Sequence, residues 1–372
     1  MTNTPADAGF FMPAEWEEHE GTWLHWPNNS TYQFHQMRIE LSWFAMAKEL
    51  HEHEKVHIAV WDERQQAELN KRLSDFGFDM STIDLQVIPT QDVWARDYGG
   101  IFLRNDKGEL AVTSWNFNGY GQRFTYDIDR HVASRVAEKL SLPLYTAPIT
   151  LEGGGIEVNG KGTFMGTRSC IMNDNRNPGL TQERAEEVLR QYLGVTHFIW
   201  LSGAPTEDCL KVNDDTDFHI DGAAKFINED TVMYTPAEDE SDLFYPYLKR
   251  HVEELKAART ESGKPLNMIA LPGTENAVFS TLNCSYPHQV GYVSEQYETA
   301  PLLGDYLNFY IANNVILVPA YGDKNDARAR QIIAEHFPGR TVVPITANPI
   351  AEHNGVIHCV TQQQPATSCN RR

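Results

Sequence analysis

Apolar positions along this chain alternate between helical and extended spacing. Phe34, Met37, Leu41, Phe44, Ala45 and Leu50 recur at three- and four-residue steps, and Ser30 and Thr31 offer capping hydroxyls ahead of them, so a helix running toward His51 is predicted. A strand over 56–61 follows, then a polar helix from Asp62 that stops near Gly77, then a strand over 85–88. The order of helix then strand returns four more times: 128–140 before 142–145, 181–193 before 198–201, 241–256 before 268–271, and 325–337 before 341–345. Strand-like runs at 110–115, 231–235 and 315–319 lie between them. One helix per roughly 60–75 residues describes about five or six α/β units without a letter-by-letter repeat.

No stretch rich in Gly, Pro or Ser divides the chain, and the polar segment 237–242 is too short for a linker. A single α/β domain over 1–372 is therefore expected. A doubly wound sheet is the rival architecture, but its Gly-rich nucleotide loop is missing.

The 372 residues are 41% hydrophobic and 11% aromatic, enough for a sizeable core and too apolar for a disordered chain. Thirty-one basic against 51 acidic residues give a net charge of −20. Such a surface repels phosphate backbones and anionic lipid and draws cations toward an acidic cleft, which argues against nucleic acid and membrane as partners. The five cysteines, Cys170, Cys209, Cys284, Cys359 and Cys369, form no CxxC pair, and their odd number leaves at least one thiol free or paired between chains. With no basic and apolar leader at the N-terminus and no run of ~18 apolar residues, the cytoplasm is the expected compartment. The sequons Asn28-Asn29-Ser30 and Asn283-Cys284-Ser285 are then chance matches.

Candidate chemistry lies in four separated clusters. In 216–222, His219 and Asp221 stand two apart, so an extended strand would send both side chains from one face. Trp94-Ala95-Arg96-Asp97-Tyr98-Gly99-Gly100 joins an aromatic face and a carboxylate to a turn, which suits either a grip on a flat cation or an Arg–Asp buttress. Glu152 precedes Gly153-Gly154-Gly155, where a backbone without side chains admits close approach. Cys359, near the C-terminus, ends an apolar run and opens into a polar one, a place for a nucleophilic thiolate beside a cation. Each taken alone is as readily structural; together they describe a thiol with the partners that it needs. His53-Glu54-Lys55-Val56-His57 matches the H-E-x-x-H zinc signature, but that motif needs one continuous helix and 56–61 reads as strand. His51, His53 and His57 are then expected at a solvated helix end.

Taken in order, these clusters resemble the agmatine deiminases and bacterial peptidylarginine deiminases of the guanidine-modifying superfamily. The likeness spans nearly the whole chain: Met12-Pro13-Ala14-Glu15-Trp16-Glu17, Trp94-Ala95-Arg96-Asp97, Leu151-Glu152-Gly153-Gly154, Asn175-Arg176-Asn177-Pro178, His219-Ile220-Asp221, Tyr306-Leu307-Asn308-Phe309 and Ile357-His358-Cys359. It implies a pentein fold, a five-bladed α/β propeller of pseudo-fivefold ββαβ-type modules. It also implies hydrolytic deimination of a small guanidino compound, agmatine first, to N-carbamoylputrescine, a polyamine precursor, and ammonia.

In that reading Cys359 attacks the guanidinium carbon to form a covalent thiouronium, and His219 protonates the departing ammonia and then activates water. Asp97 and Asp221 grip the guanidinium, and Glu152 holds His219. Asp215 matches a position associated with the amine end of agmatine, and Trp94 would cover the aliphatic chain. No metal or organic cofactor is implied, and a homo-oligomer is left open.

Two departures bear on the substrate. The family usually has a glycine triplet just before the nucleophile segment and a glycine before the catalytic His, where this chain has Glu352-His353-Asn354-Gly355 and Phe218. Free or peptidyl arginine therefore stays open as substrate, with Arg96, Arg168 and Arg176 as candidate partners for its carboxylate. An amidinotransferase, or an inactive member that binds cationic ligands, is the further alternative.

Overall fold

A computed structural model describes residues 4–28, 36–275, 278–279, 301–302 and 304–367. Asn29, Ser30, Thr31, Phe34, Cys284, Cys369 and the sequon at 283–285 lie outside them.

Four blades share one plan, in which two antiparallel strands are followed by a helix and a third strand parallel to the second. The second blade is Ile101–Arg104, Leu110–Ser114, the helix Val132–Leu140 and Leu144–Thr146. The third is Glu157–Val158, Thr163–Thr167, Gln182–Leu193 and His197–Leu201. The fourth is Ala224–Phe226, Thr231–Tyr234, Tyr245–Ala257 and Asn267–Ala270. The fifth is Tyr310–Ile311, Val315–Ala320, Asp326–His336 and Thr341–Thr346.

The first blade is built from both ends of the sequence. His19–His25 pairs antiparallel with Gln362–Pro365 and parallel with Lys55–Val60, across the helix Gln36–Leu50. A second helix, Glu63–Asp75, leads to the parallel edge strand Ile83–Val87. The result is the five-bladed pentein architecture, closed by the strand that follows Cys359. A separate two-stranded ribbon joins Val278–Phe279 to Pro301–Leu302.

The helices form where apolar spacing and caps agree. Asp62 accepts from Gln65 N at 2.8 Å to start Glu63–Asp75, and Thr181 accepts from Arg184 N at 3.3 Å to start Gln182–Leu193. Each side-chain cap stabilises its helix by about 1 kcal/mol. Gly194 ends the latter at φ 68°, a left-handed conformation that costs glycine little. That helix buries Ala185, Val188, Leu189 and Leu193, one face at helical spacing turned onto its sheet. Central strands such as Val315–Ala320 are buried almost throughout, as strands covered on both faces must be. Among the described residues, no helix is long and apolar enough to cross a membrane.

The predicted helices and their following strands appear within a few residues of the expected bounds. The short opening strand of each blade was not predicted, because two to four residues carry too little periodicity to register. The zinc-like motif is broken as expected: His57 lies on the strand Lys55–Val60 while His53 precedes it in a turn. The expected solvation does not hold for His57, which is buried, with Nδ1 2.8 Å from Asp84 and Nε2 2.7 Å from Glu20. Stacking of its ring on Trp23, centroids 4.6 Å apart, draws it into the core.

Closure of the first blade leaves no room beside Gly21, where a Cβ would stand 2.4 Å from the Lys55 carbonyl oxygen and 3.1 Å from the His57 ring. Gly21→Ala is therefore expected to destabilise the fold by about 1–3 kcal/mol, seen as a lower denaturant midpoint with an unchanged slope.

Candidate active site

Each candidate side chain sits in a connection between blades, just ahead of the next blade's first strand. Asp97 precedes the strand that starts at Ile101, Glu152 precedes Glu157, His219 and Asp221 precede Ala224, and Cys359 precedes Gln362. Asn308 occupies the equivalent place before Tyr310. The pseudo-fivefold repeat therefore delivers residues far apart in sequence to one place. His219 and Asp221 do not leave one face of a strand, because Ile220–Gly222 is a single 3-10 turn with His219 at its entrance. They nevertheless face one site, since the turn folds Asp221 back beside His219.

The centre of that site is Gly154. A Cβ on it would stand 2.4 Å from His219 Nδ1, 2.9 Å from Asp97 Oδ1 and 3.1 Å from Asp221 Oδ2, so only a bare backbone fits between the three. Its N–H donates to Asp97 Oδ1 at 2.9 Å, and Tyr120 Oη donates to Asp97 Oδ2 at 2.8 Å. His219 bridges two acids, with Nδ1 3.7 Å from Asp97 Oδ1 and Nε2 3.4 Å from Glu152 Oε2.

Behind this layer, Arg176 Nε lies 2.9 and 2.8 Å from the two Glu152 oxygens, and its Nη1 donates to Asp217. Asp217 in turn holds Arg123 through two bonds of 2.9 Å. Burial would raise the Glu152 carboxyl, but Arg176 and His219 bring it down to about 2, so it is ionised. Burial disfavours the His219 imidazolium, yet Asp97, Cys170 and Glu152 outweigh it and hold the ring's pKa well above the ordinary imidazole value. His219 is thus a charged acid before any substrate arrives.

Cys359 is half-buried, with Sγ 3.4 Å from Asn308 Oδ1 and 4.0 Å from Asp221 Oδ2. The same Asn308 oxygen accepts the N–H groups of His358 at 2.9 Å and Cys359 at 3.3 Å. Asn308 fixes the backbone at Cys359, a role that the sequence had not assigned to it. Burial, then the charges of Asp221 and Asp97, push the thiol well above its ordinary pKa. The Asp97 carboxyl is raised by burial and by Asp221 and Glu152, with His219 and Tyr120 opposing. Burial opposes ionisation of Asp221 also, but His358, His219 and Lys225 lower it.

The remaining predicted residues are accounted for as follows. Trp94 is buried with its ring edge on Gly355, where a Cβ would stand 2.2 Å from Cζ3. Asp215 is buried, accepts from Asn354 Nδ2 at 2.9 Å, and is pushed up to about 7, chiefly by burial. Glu352 makes a two-point ion pair with Arg38 at 2.6 and 2.9 Å. Phe218 turns away from the catalytic cluster: its ring packs on Phe244 and His251 with centroids 5.1 and 5.0 Å away. Its backbone has φ 72° and that of Asn354 has φ 69°, the left-handed region where glycine is favoured.

Arg96 is spent on the His358 carbonyl and Gln363, Arg168 on Gln182 and the Trp200 carbonyl, and Arg176 on Glu152 and Asp217. The donor atoms of Glu152, Cys170 and His219 lie within 4.8 Å of one another, close enough to share an ion, but Arg176 already supplies a cation to Glu152.

Comparison with known proteins adds the family. The model of the Porphyromonas-type peptidyl-arginine deiminase family matches residues 11–365. The agmatine deiminases of Ectopseudomonas mendocina and Pseudomonas syringae pv. tomato are 33% and 34% identical to this chain, each over 98% of both proteins. The solved agmatine deiminase of Enterococcus faecalis superposes with a TM-score of 0.87 at 27% identity, over 99% of each chain. With the five-bladed fold and the cysteine, histidine and acids gathered at Gly154, these likenesses place the chain in the Porphyromonas-type peptidyl-arginine deiminase family.

Proposed function

We propose that this protein is a hydrolase that deiminates agmatine to N-carbamoylputrescine and ammonia. The observation that carries this reading is the convergence of Cys359, His219, Asp97, Asp221 and Glu152 around Gly154. A planar cation fits such a site because its charge is spread over nitrogens that can donate to both Asp97 and Asp221.

Binding of the guanidinium offsets the two acids that hold the Cys359 thiol protonated, so the thiol gives its proton to solvent as the substrate settles. The sulfur then forms a bond to the guanidinium carbon, and His219 donates its proton to the departing nitrogen as the C–N bond breaks. Ammonia leaves and a thiouronium remains on Cys359. Neutral His219, steadied by ionised Glu152, next takes a proton from water, whose oxygen attacks the same carbon. The C–S bond breaks as the added hydroxyl gives up its proton to the leaving sulfur, so the Cys359 thiol is restored, His219 is again protonated and the neutral ureido product separates.

Agmatine is favoured over arginine because Arg96 and Arg176 are buried against partners of their own and Arg168 is bonded to Gln182 and the Trp200 carbonyl, so a substrate carboxylate would have to compete with those contacts. Asp215 suits the far amine of agmatine, and Trp94 suits its aliphatic chain. We assign this activity to one catalytic domain spanning 1–372, since the first blade needs strands from both ends of the chain. A cytoplasmic setting agrees with the free thiols of Cys170, Cys209 and Cys359.

Ammonia release from agmatine, free arginine and arginyl peptides is expected to be fastest with agmatine; faster release from either arginine substrate would overturn the substrate assignment. Cys359→Ser should abolish turnover while leaving the fold intact, and a variant of full rate would remove Cys359 as nucleophile. Gly154→Ala drives a methyl group into His219 and Asp97, so kcat/KM should fall by about 100-fold or more, with KM and kcat measured beside thermal stability. Because its pKa is raised in the free protein, Cys359 should be alkylated slowly by iodoacetamide at about pH 7 and faster as pH rises. A rate that stays flat with pH would mean a thiolate already formed without substrate.

A further inference from the structure

The buried histidine beside the nucleophile is not used by the reaction just described. His358 has a side chain only 1% exposed and faces a carboxylate with each ring nitrogen: Nδ1 is 2.8 Å from Asp221 Oδ2 and Nε2 is 2.8 Å from Glu15 Oε2. An ionised carboxylate can only accept, so both nitrogens donate and the ring carries a proton on each.

From this geometry we propose that His358 is a positioning residue that orients Asp221 and keeps it ionised for the substrate guanidinium, with Glu15 as its anchor. The proposal rests on Asp221 being a substrate-gripping acid.

The bond reaches the working atom. Asp221 Oδ2, which accepts from His358, is also the oxygen 4.0 Å from Cys359 Sγ. Asp221 is buried among groups of both signs: Asp97, Asp305 and Cys359 oppose its charge, while His358, His219 and Lys225 favour it. Of the favourable three, His358 alone is recorded in hydrogen-bond contact with Asp221. Loss of that contact leaves a buried carboxylate short of its closest donor, a larger effect than loss of a neutral hydrogen bond.

Glu15 makes the arrangement rigid. It accepts from Lys225 Nζ at 3.0 Å and from the Ile311 N–H at 2.9 Å, and Arg96 Nη2 lies 3.6 Å away. His358 is therefore backed by Glu15, from the segment ahead of the first blade, which groups of the fourth and fifth blades and of the Asp97 connection hold in place. The arrangement also separates the two gripping acids. Asp97 is hydrogen-bonded by neutral donors, the Tyr120 hydroxyl and the Gly154 N–H, with the charged His219 ring farther off at 3.7 Å, whereas the hydrogen bond that Asp221 receives at 2.8 Å comes from His358. Asp221 would then draw the cation in, and Asp97 would complete the grip once the cation is present.

The test uses the full-length protein with His358→Asn, His358→Leu and Glu15→Gln, assayed with agmatine across pH. Without its charged donor, Asp221 should titrate at higher pH, so substrate binding is lost on the acid side and regained as pH rises through its new pKa. For His358→Leu, KM at about pH 6.5 should rise at least tenfold, the penalty should shrink toward about pH 9, and kcat should change much less. His358→Asn can still donate to Asp221 and should fall between His358→Leu and wild type.

A KM penalty equal at all pH values, or none, in a folded variant overturns the proposal. Should both His358 variants fail to fold, Glu15→Gln decides it by the same criterion. Wild-type protein that releases no ammonia from any guanidine would instead sink the functional reading. Nitrogen NMR of the His358 ring settles the protonation without turnover, and a ring with only one protonated nitrogen at neutral pH overturns the proposal.

Discussion

Negative charge held out of water is the constraint around which this protein is arranged. Glu15, Asp97, Glu152, Asp217 and Asp221 are all buried, and an isolated carboxylate in such surroundings would simply take up a proton. The structure keeps charge there by giving the acids cationic partners of fixed geometry. Arg176 spans Glu152 and Asp217, Lys225 and His358 meet at Glu15, and His219 lies between Asp97 and Glu152. In the proposed reading a guanidinium adds positive charge in front of Asp97, Asp221 and Cys359, so the same imbalance that holds the thiol protonated in the free protein favours a cationic substrate.

The propeller is what makes that density of charge affordable. Each blade ends in a parallel strand and hands the chain to a connection that leads into the next blade's opening strand, so five connections approach a common place. Short turns there, such as Ile220–Gly222 and Gly153–Gly155, expose backbone N–H groups and bring side chains closer than a regular strand would. Pairing of Gln362–Pro365 with His19–His25 then fixes the connection that carries Cys359. Catalytic geometry and ring closure are in this way the same structural event.

The departures from the family pattern are absorbed by local packing and leave the catalytic cluster in place. Phe218 and Asn354 take a left-handed backbone where glycine would sit without strain, at a cost on the order of 1–3 kcal/mol each. Phe218 sends its ring into the apolar cluster with Phe244 and His251. Asn354 puts its amide on Asp215, and Glu352 is tied to Arg38. The Asn354 contact is with Asp215, the residue proposed for the far amine of the substrate.

Periodicity was enough to place the six long helices and the strands after them, because a face of Ala185, Val188, Leu189 and Leu193 has only one way to be buried. Ordered motifs were enough to single out Cys359, His219, Asp97, Glu152 and Asp221 as candidates, and the structure gathers these five around Gly154. Proximity was not legible: nothing local to Asn308, His358 or Glu15 says that they meet beside Cys359, and Arg176, one of three candidate partners for a substrate carboxylate, is paired with Glu152. Those assignments depend on which connections the closed ring brings together, and on burial and neighbouring charge, which together decide whether a carboxylate, a thiol or an imidazole carries its proton.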